Sequence, residues 1–146
     1  MIWEMAATLS AGLFAGAADY VSLVEHPARV ECGTELALTQ FGPSYRRAAV
    51  VQALFAFSGL MAGIGAWLSG SGVGWLVGGS YLGIRDSIYA GRDFPNQQAA
   101  PRSRAGSDFA RSESTAVTRW ARLHMVRSAL GVTAFVVFVF LLEFRV

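Results

Sequence analysis

The sequence has no lysine, a single cysteine, two histidines and few charged residues of either sign. Charged residues make up 15% of the 146 positions and hydrophobic residues 53%, whereas an average soluble domain is about 25% charged. This composition excludes an ordinary soluble domain and indicates a membrane protein. The formal charge of +2 is too small to indicate a nucleic-acid partner. Because Cys32 is alone, an internal disulfide and a cysteine-cluster metal site are excluded as well.

What the sequence does contain is a series of long apolar runs. About 20 apolar residues cross a bilayer as a helix, and the runs predict spans at residues 2–25, 48–68, 73–90 and 116–143. The Ser-Gly-Ser-Gly sequence at 69–72 separates the second span from the third. We therefore predict an all-α transmembrane helical bundle, a single domain of residues 1–146. It has nominally four spans, of which the third is short or disrupted because the apolar character stops at Arg85.

Proline and glycine indicate where the helices end. Pro27 cannot continue a helical hydrogen-bond ladder and biases the preceding residue away from helical geometry, so we expect the first span to end near His26. Residues 28–47 then read as a polar connection, with a short interfacial helix at 34–40 and a turn at Gly42-Pro43. The polar, aperiodic residues 91–114 predict a long loop.

The positions of the arginines predict the topology. All twelve basic residues are arginine, and most of them lie in the predicted loops 26–47 and 85–119. Positively charged loops stay in the cytoplasm, so both termini are expected outside, in the bacterial inner (plasma) membrane. Glycine pairs spaced four apart at 12 and 16, 59 and 63, and 74 and 78 allow helices to approach closely. Such contacts join helices of one chain or make a homo-oligomer.

The candidate functional residues lie at the predicted cytoplasmic end of the bundle. Asp19 and His26 share one face of the first span, while His124 and Arg127 share a face of the last span, with Arg122 beside it. A histidine titrates near neutral pH and can act as a general base, and a deep arginine can stabilise an enolate or phenolate.

Each of these residues also has a purely structural interpretation. The histidines can be interfacial side chains, and the arginines can reach the lipid headgroups. Asp19 can be a polar contact between helices, paired with Arg127 or Arg122. A metal held by His26 and His124, with help from nearby glutamates (Glu25, Glu31 and Glu35), is a minor alternative, because their spacing matches no metal-binding signature.

Three segments resemble one family of small integral membrane proteins. They are GLFAGAADYVSLVEHPAR at 12–29, FGPSYRRA at 41–48 and WARLHMVR at 120–127. These segments look like the anthrone oxygenase-like family of four-helix membrane proteins, most of which have no known function. The resemblance covers residues 1–83 and about 115–146.

Residues 84 to about 107 depart from that family. The family continues its third span through a Val-Ile-Pro-Phe-Thr stretch and a Pro-Thr-Asn-Lys motif. Within codon degeneracy, residues 84–98 can encode both when read one base out of frame. We hypothesise that a compensated frameshift has replaced the end of the third span and its loop, which the nucleotide sequence tests directly.

The resemblance implies a membrane-embedded oxygenase acting on an aromatic, phenolic substrate of anthrone or quinol type, without a cofactor. It implies His26 or His124 as the base, Arg127 and Arg122 as the groups that stabilise the enolate, and Asp19 as an orienting group. The alternatives are a small non-enzymatic membrane helper or lipid-binding bundle, and an inactive frameshifted family member.

Overall fold

The structure is a computed structural model that describes residues 1–90 and 107–144, with the side chains at 34, 35, 38, 83–90 and 107–120 outside the description. All of the regular structure in the described part is helical. The helices are α1 (Ile2–Tyr20), a π-helical turn (Val21–Glu25), α2 (His26–Glu31), α3 (Thr34–Leu68), α4 (Val73–Ala90) and α5 (Ser107–Phe144).

Three stretches of helix are long and apolar enough to cross a membrane: Ile2–Glu31, Thr39–Leu68 and Ala121–Phe144. Only 39%, 28% and 22% of their most apolar windows are buried within the protein. Large apolar side chains such as Leu54 and Phe140 are therefore left exposed, as expected for helices that face lipid. These features support an integral membrane helical bundle, and a fourth crossing by α4 stays a prediction.

The first span does not end near His26, so that prediction is wrong. The helix continues through Pro27 to Glu31 because the π-helical turn precedes the proline. In this turn the His26 N–H donates to the Val21 carbonyl, five residues back. A π-helical turn widens the backbone, and it places Pro27 at the start of α2, where the missing N–H costs little. A short break follows at Gly33, whose φ of 96° suits glycine.

The turn predicted at Gly42-Pro43 is also absent, because α3 runs through Pro43 without interruption. A proline inside a helix removes one backbone donor, and tertiary packing can offset that loss. Phe41 is buried and stacks on Tyr45 with ring centroids 5.9 Å apart, which supports the helix on both sides of the proline. Residues 28–47 are thus mostly helical.

The last helix begins earlier than predicted, at Ser107, so residues 107–114 of the predicted polar loop are helical. The rest of that loop, 91–106, lies outside the described residues, as does most of the segment to which the frameshift hypothesis applies. Between α3 and α4 the predicted break is confirmed, with positive φ angles at Gly70 and Gly72.

Small residues bring the helices together. A Cβ added to Gly63 would lie 2.5 Å from the Trp75 carbonyl oxygen and 3.1 Å from the Gly79 Cα, so α3 and α4 pack backbone against backbone. Trp75 stacks on Phe138 of α5, with centroids 5.1 Å apart. Gly16, by contrast, has open space around it. Two of the predicted glycine pairs therefore contribute to packing within the chain.

The helices alternate in direction, which creates two polar clusters at opposite ends of the bundle. At one end the Ser71 hydroxyl donates to the Glu4 carboxylate at 2.6 Å, joining the start of α1 to the α3–α4 turn. At the other end Ser22 contacts His124, joining the end of the first span to α5. The predicted meeting of the first and last spans at one end is therefore observed.

Candidate functional site

A small cavity lies where the π-helical turn, α2, α3 and α5 come together. Its polar lining consists mainly of Glu25, Arg29, Gln52, His124 and Arg127, and we call the space that these residues border the end cavity. It measures about 20 Å³, which is enough room for about one water molecule. Ser44, Tyr45 and apolar residues complete the walls.

His124 is the best-fixed residue of the end cavity. It is only 7% exposed, and its Nδ1 lies 2.8 Å from the Ser22 Oγ. The same Ser22 hydroxyl lies 2.9 Å from the Ser128 Oγ, one helical turn after His124. A ring nitrogen held by a hydroxyl has a defined orientation, so the first span positions the imidazole of the last span.

Arg29 and Glu25 form an ion pair across one turn of the first span. Arg29 is 6% exposed, and within the described part of the chain Glu25 is its one side-chain hydrogen-bonding partner. The Nε of Arg29 is buried without an acceptor among the described residues. A guanidinium carries five N–H donors, so a single carboxylate leaves much of its hydrogen-bonding capacity unused.

Arg127 adds a second guanidinium to the cavity. Its Cζ lies 5.0 Å from the centroid of the Phe14 ring, a cation–π contact that holds the side chain over α1. Arg127 and His124 also interact electrostatically. The described residues that line the cavity therefore include two guanidinium groups and one carboxylate.

Gln52 was not predicted as a site residue, although its position in an apolar span indicates one. It is the only amide side chain in the otherwise uncharged residues 48–84, and it is 3% exposed in the structure. A buried amide in an apolar span is costly unless it has polar neighbours. Arg29 and Ser22 were likewise not predicted as site residues.

The other predicted site residues lie outside the end cavity. His26 is half-buried and close enough to His124 and Arg29 to interact electrostatically with both. Asp19 lies about one turn before Ser22, and its predicted pairing with Arg127 or Arg122 is not among the described ion pairs. Arg122 is exposed.

The described residues contain no group of three or more histidine, cysteine, aspartate or glutamate side chains placed to hold a metal ion. The side chain of Glu35, one of the suggested ligands, lies outside the described residues. The described lining of the end cavity provides an imidazole, a carboxylate and two guanidinium groups.

A larger open cleft of about 400 Å³ lies at the opposite end of the bundle. Its charged side chain is Glu4, which pairs with the Met1 amine at 2.5 Å and accepts a hydrogen bond from Ser71. One oxygen of the Glu4 carboxylate accepts from Ser71, and the other pairs with the Met1 amine. The cleft is larger than the end cavity, but fewer ionisable side chains line it.

Comparison of the chain with protein-family models, with curated proteins and with solved structures gave no match.

Proposed function

We propose that this chain is a membrane-embedded oxygenase that acts on an aromatic substrate of anthrone or quinol type at the end cavity. The observation that supports this proposal is the position of His124. It is buried, it is fixed by Ser22 at 2.8 Å, and it borders the same cavity as Arg127. A base next to a fixed cation is the arrangement that proton removal from a carbon acid requires.

In the proposed reaction, His124 takes a proton from the methylene carbon that is activated by the substrate carbonyl. Arg127 stabilises the negative charge that moves to the carbonyl oxygen. The resulting carbanion donates electrons to O₂ and forms a hydroperoxide at the same carbon. Loss of water then gives the quinone, so one O₂ and one CH₂ group become one C=O group and one H₂O. His124 returns its proton to the peroxide oxygen to form the hydroperoxide. It then takes the second hydrogen of that carbon as a proton while the O–O bond breaks, and the departing hydroxide takes up this proton and leaves as water.

A tricyclic substrate is far larger than the roughly 20 Å³ of the end cavity. The proposal therefore includes a widening of the cavity when the substrate binds. Phe41 and Tyr45 line one wall, and they lie on either side of Pro43 in α3. A proline inside a helix is a natural place for bending, so displacement of this segment admits the substrate from the membrane.

The activity test is an oxygen-uptake assay on the purified protein in lipid nanodiscs, with anthrone as the substrate. We expect one O₂ consumed per quinone formed, above the rate of empty nanodiscs. Replacing Arg127 by glutamine should lower the turnover number about 100-fold, as for the loss of other charge-stabilising groups. Replacing the exposed Arg122 in the same way is the matched control and should change turnover less than about twofold. Equal reductions in turnover number in the two variants would show that Arg127 has no specific role in the reaction.

A second candidate function is a non-enzymatic helper or lipid-binding bundle. Exposed arginines near the end cavity favour it, because Arg46, Arg47 and Arg122 are all on the surface and suit anionic headgroups. Absence of O₂ uptake combined with selective retention of anionic lipid would support this function.

If the nucleotide sequence contains the compensated frameshift, restoring the frame should increase turnover in the oxygen-uptake assay.

A homo-oligomer is also part of the proposal, with the first span as its contact surface. Gly16 has no atom within 4 Å of an added Cβ, so a second copy can approach there. Replacing Gly16 by leucine should abolish chemical cross-linking between copies. Unchanged cross-linking would exclude this surface.

A further inference from the structure

The least satisfied charged group around the end cavity is Arg29. It is 94% buried, being 6% exposed, and among the described side chains Glu25 is its one ion-pair partner. Its Nε has no acceptor among the described residues. A buried guanidinium with unused donors is costly, and it has a strong preference for oxyanions, which can accept from several of its N–H groups.

The surroundings of Arg29 favour an anion rather than a neutral ligand. Arg127 borders the same cavity, so its described lining contains two guanidinium groups and one carboxylate, that of Glu25. Gln52 adds a buried amide that can donate a further hydrogen bond. The volume of about 20 Å³ admits one oxygen atom of a larger group, because it is close to the space of one water molecule.

We propose that the end cavity is a binding subsite for one anionic oxygen, from a carboxylate or a phosphate group, held by Arg29 and Arg127. The remainder of the ligand lies outside the cavity, against the apolar residues of α3. The proposal depends on the proposed function only where that anion is assigned to the oxygenase substrate, which would then be an acidic aromatic compound. The anion site itself does not require turnover.

The test measures anion binding to the full chain in nanodiscs of phosphatidylcholine, in two arms that distinguish the source of the anion. In the first arm, inorganic phosphate and acetate are titrated by calorimetry. In the second, the discs contain phosphatidic acid, and native mass spectrometry counts the anionic lipid that stays bound. Binding in the first arm assigns a small free anion, and binding in the second arm alone assigns a lipid headgroup.

Three variants make the test specific. Arg29→Gln should weaken anion binding about tenfold or more, because it removes a charge-assisted contact. Arg46→Gln removes an exposed arginine of α3 and should leave the binding of phosphate and acetate within about twofold. Glu25→Gln should tighten binding several-fold, since it removes the carboxylate that competes with the anion for Arg29.

The opposite signs of the Arg29 and Glu25 variants separate an anion site from a structural ion pair. A structural pair predicts that both variants lower stability and that neither changes anion binding selectively. The proposal is overturned if neither arm detects binding, if Arg29→Gln and Arg46→Gln weaken it equally, or if Glu25→Gln fails to tighten it. Anion binding without O₂ uptake would support the anion site and contradict the oxygenase function. Turnover without anion binding would support the oxygenase function and contradict the anion site.

Discussion

The Ser22 hydroxyl lies 2.8 Å from the Nδ1 of His124, although the two residues are 102 positions apart in the sequence. This hydrogen bond joins the first span to the last at the end cavity. Ser128 extends it, with its hydroxyl 2.9 Å from that of Ser22. The three side chains form a buried polar link in an otherwise apolar interface, and they set the orientation of the one histidine that lines the cavity.

Replacing Ser22 by alanine should therefore destabilise the protein and loosen His124. We expect a loss of about 1 kcal/mol in the free energy of unfolding, in the range measured for hydrogen bonds between membrane helices. Unfolding in a titration with sodium dodecyl sulfate measures it. Ser58→Ala, which removes a hydroxyl from an exposed position of α3, is the control. Equal stabilities of the two variants would show that the Ser22 contact contributes nothing.

The packing of α3 against α4 gives a second prediction. Gly63→Ala would place a Cβ 2.5 Å from the Trp75 carbonyl oxygen, a backbone atom that cannot move without shifting the helix. We expect a destabilisation of about 1–3 kcal/mol, typical of overpacking.

Gly16→Ala is the matched control for this substitution in protein diluted to the monomer in detergent, because within one chain its Cβ would meet open space. It should be neutral or should stabilise the helix by up to about 1 kcal/mol. The same detergent titration measures both variants, and the packing assignment is wrong if Gly63→Ala is as stable as Gly16→Ala.

Two features could be predicted from sequence because they depend on the lengths of the apolar runs and on helical spacing. They are the positions of three spans and the meeting of the polar residues of the first and last spans at one end of the bundle. Apolar runs of the right length identify the first, second and last membrane helices. Their alternation in direction brings His124 to the end of the first span. Helical spacing also places Arg122 about 200° around α5 from His124, at 100° per residue, which agrees with its exposed position.

The effects of the prolines could not be predicted, because they depend on tertiary context. Pro27 lies in a continuous helix directly after a π-helical turn, and Pro43 lies inside α3 next to the Phe41–Tyr45 stack. The pairing of Arg29 with Glu25 spans a single turn and was visible in the sequence. Its burial was not, because it depends on the packing of α3 against α2.

The single cysteine provides a direct test of topology. Cys32 is exposed in the predicted cytoplasmic segment, so a membrane-impermeant maleimide should label it in inside-out vesicles and not in intact spheroplasts. Ser69 is exposed in the turn at the opposite end, and Ser69→Cys in a Cys32→Ser background should give the reverse pattern. Labelling of Cys32 from outside would invert the proposed orientation.

The most direct test of the central claim compares the two histidines in the oxygen-uptake assay with anthrone. His124 lines the end cavity, whereas His26 lies outside it. His124→Ala should therefore reduce quinone formation to the rate of empty nanodiscs, and His26→Ala should retain most of the wild-type rate while both proteins remain folded. An active His124→Ala protein would contradict the assignment of the end cavity as the site of the reaction.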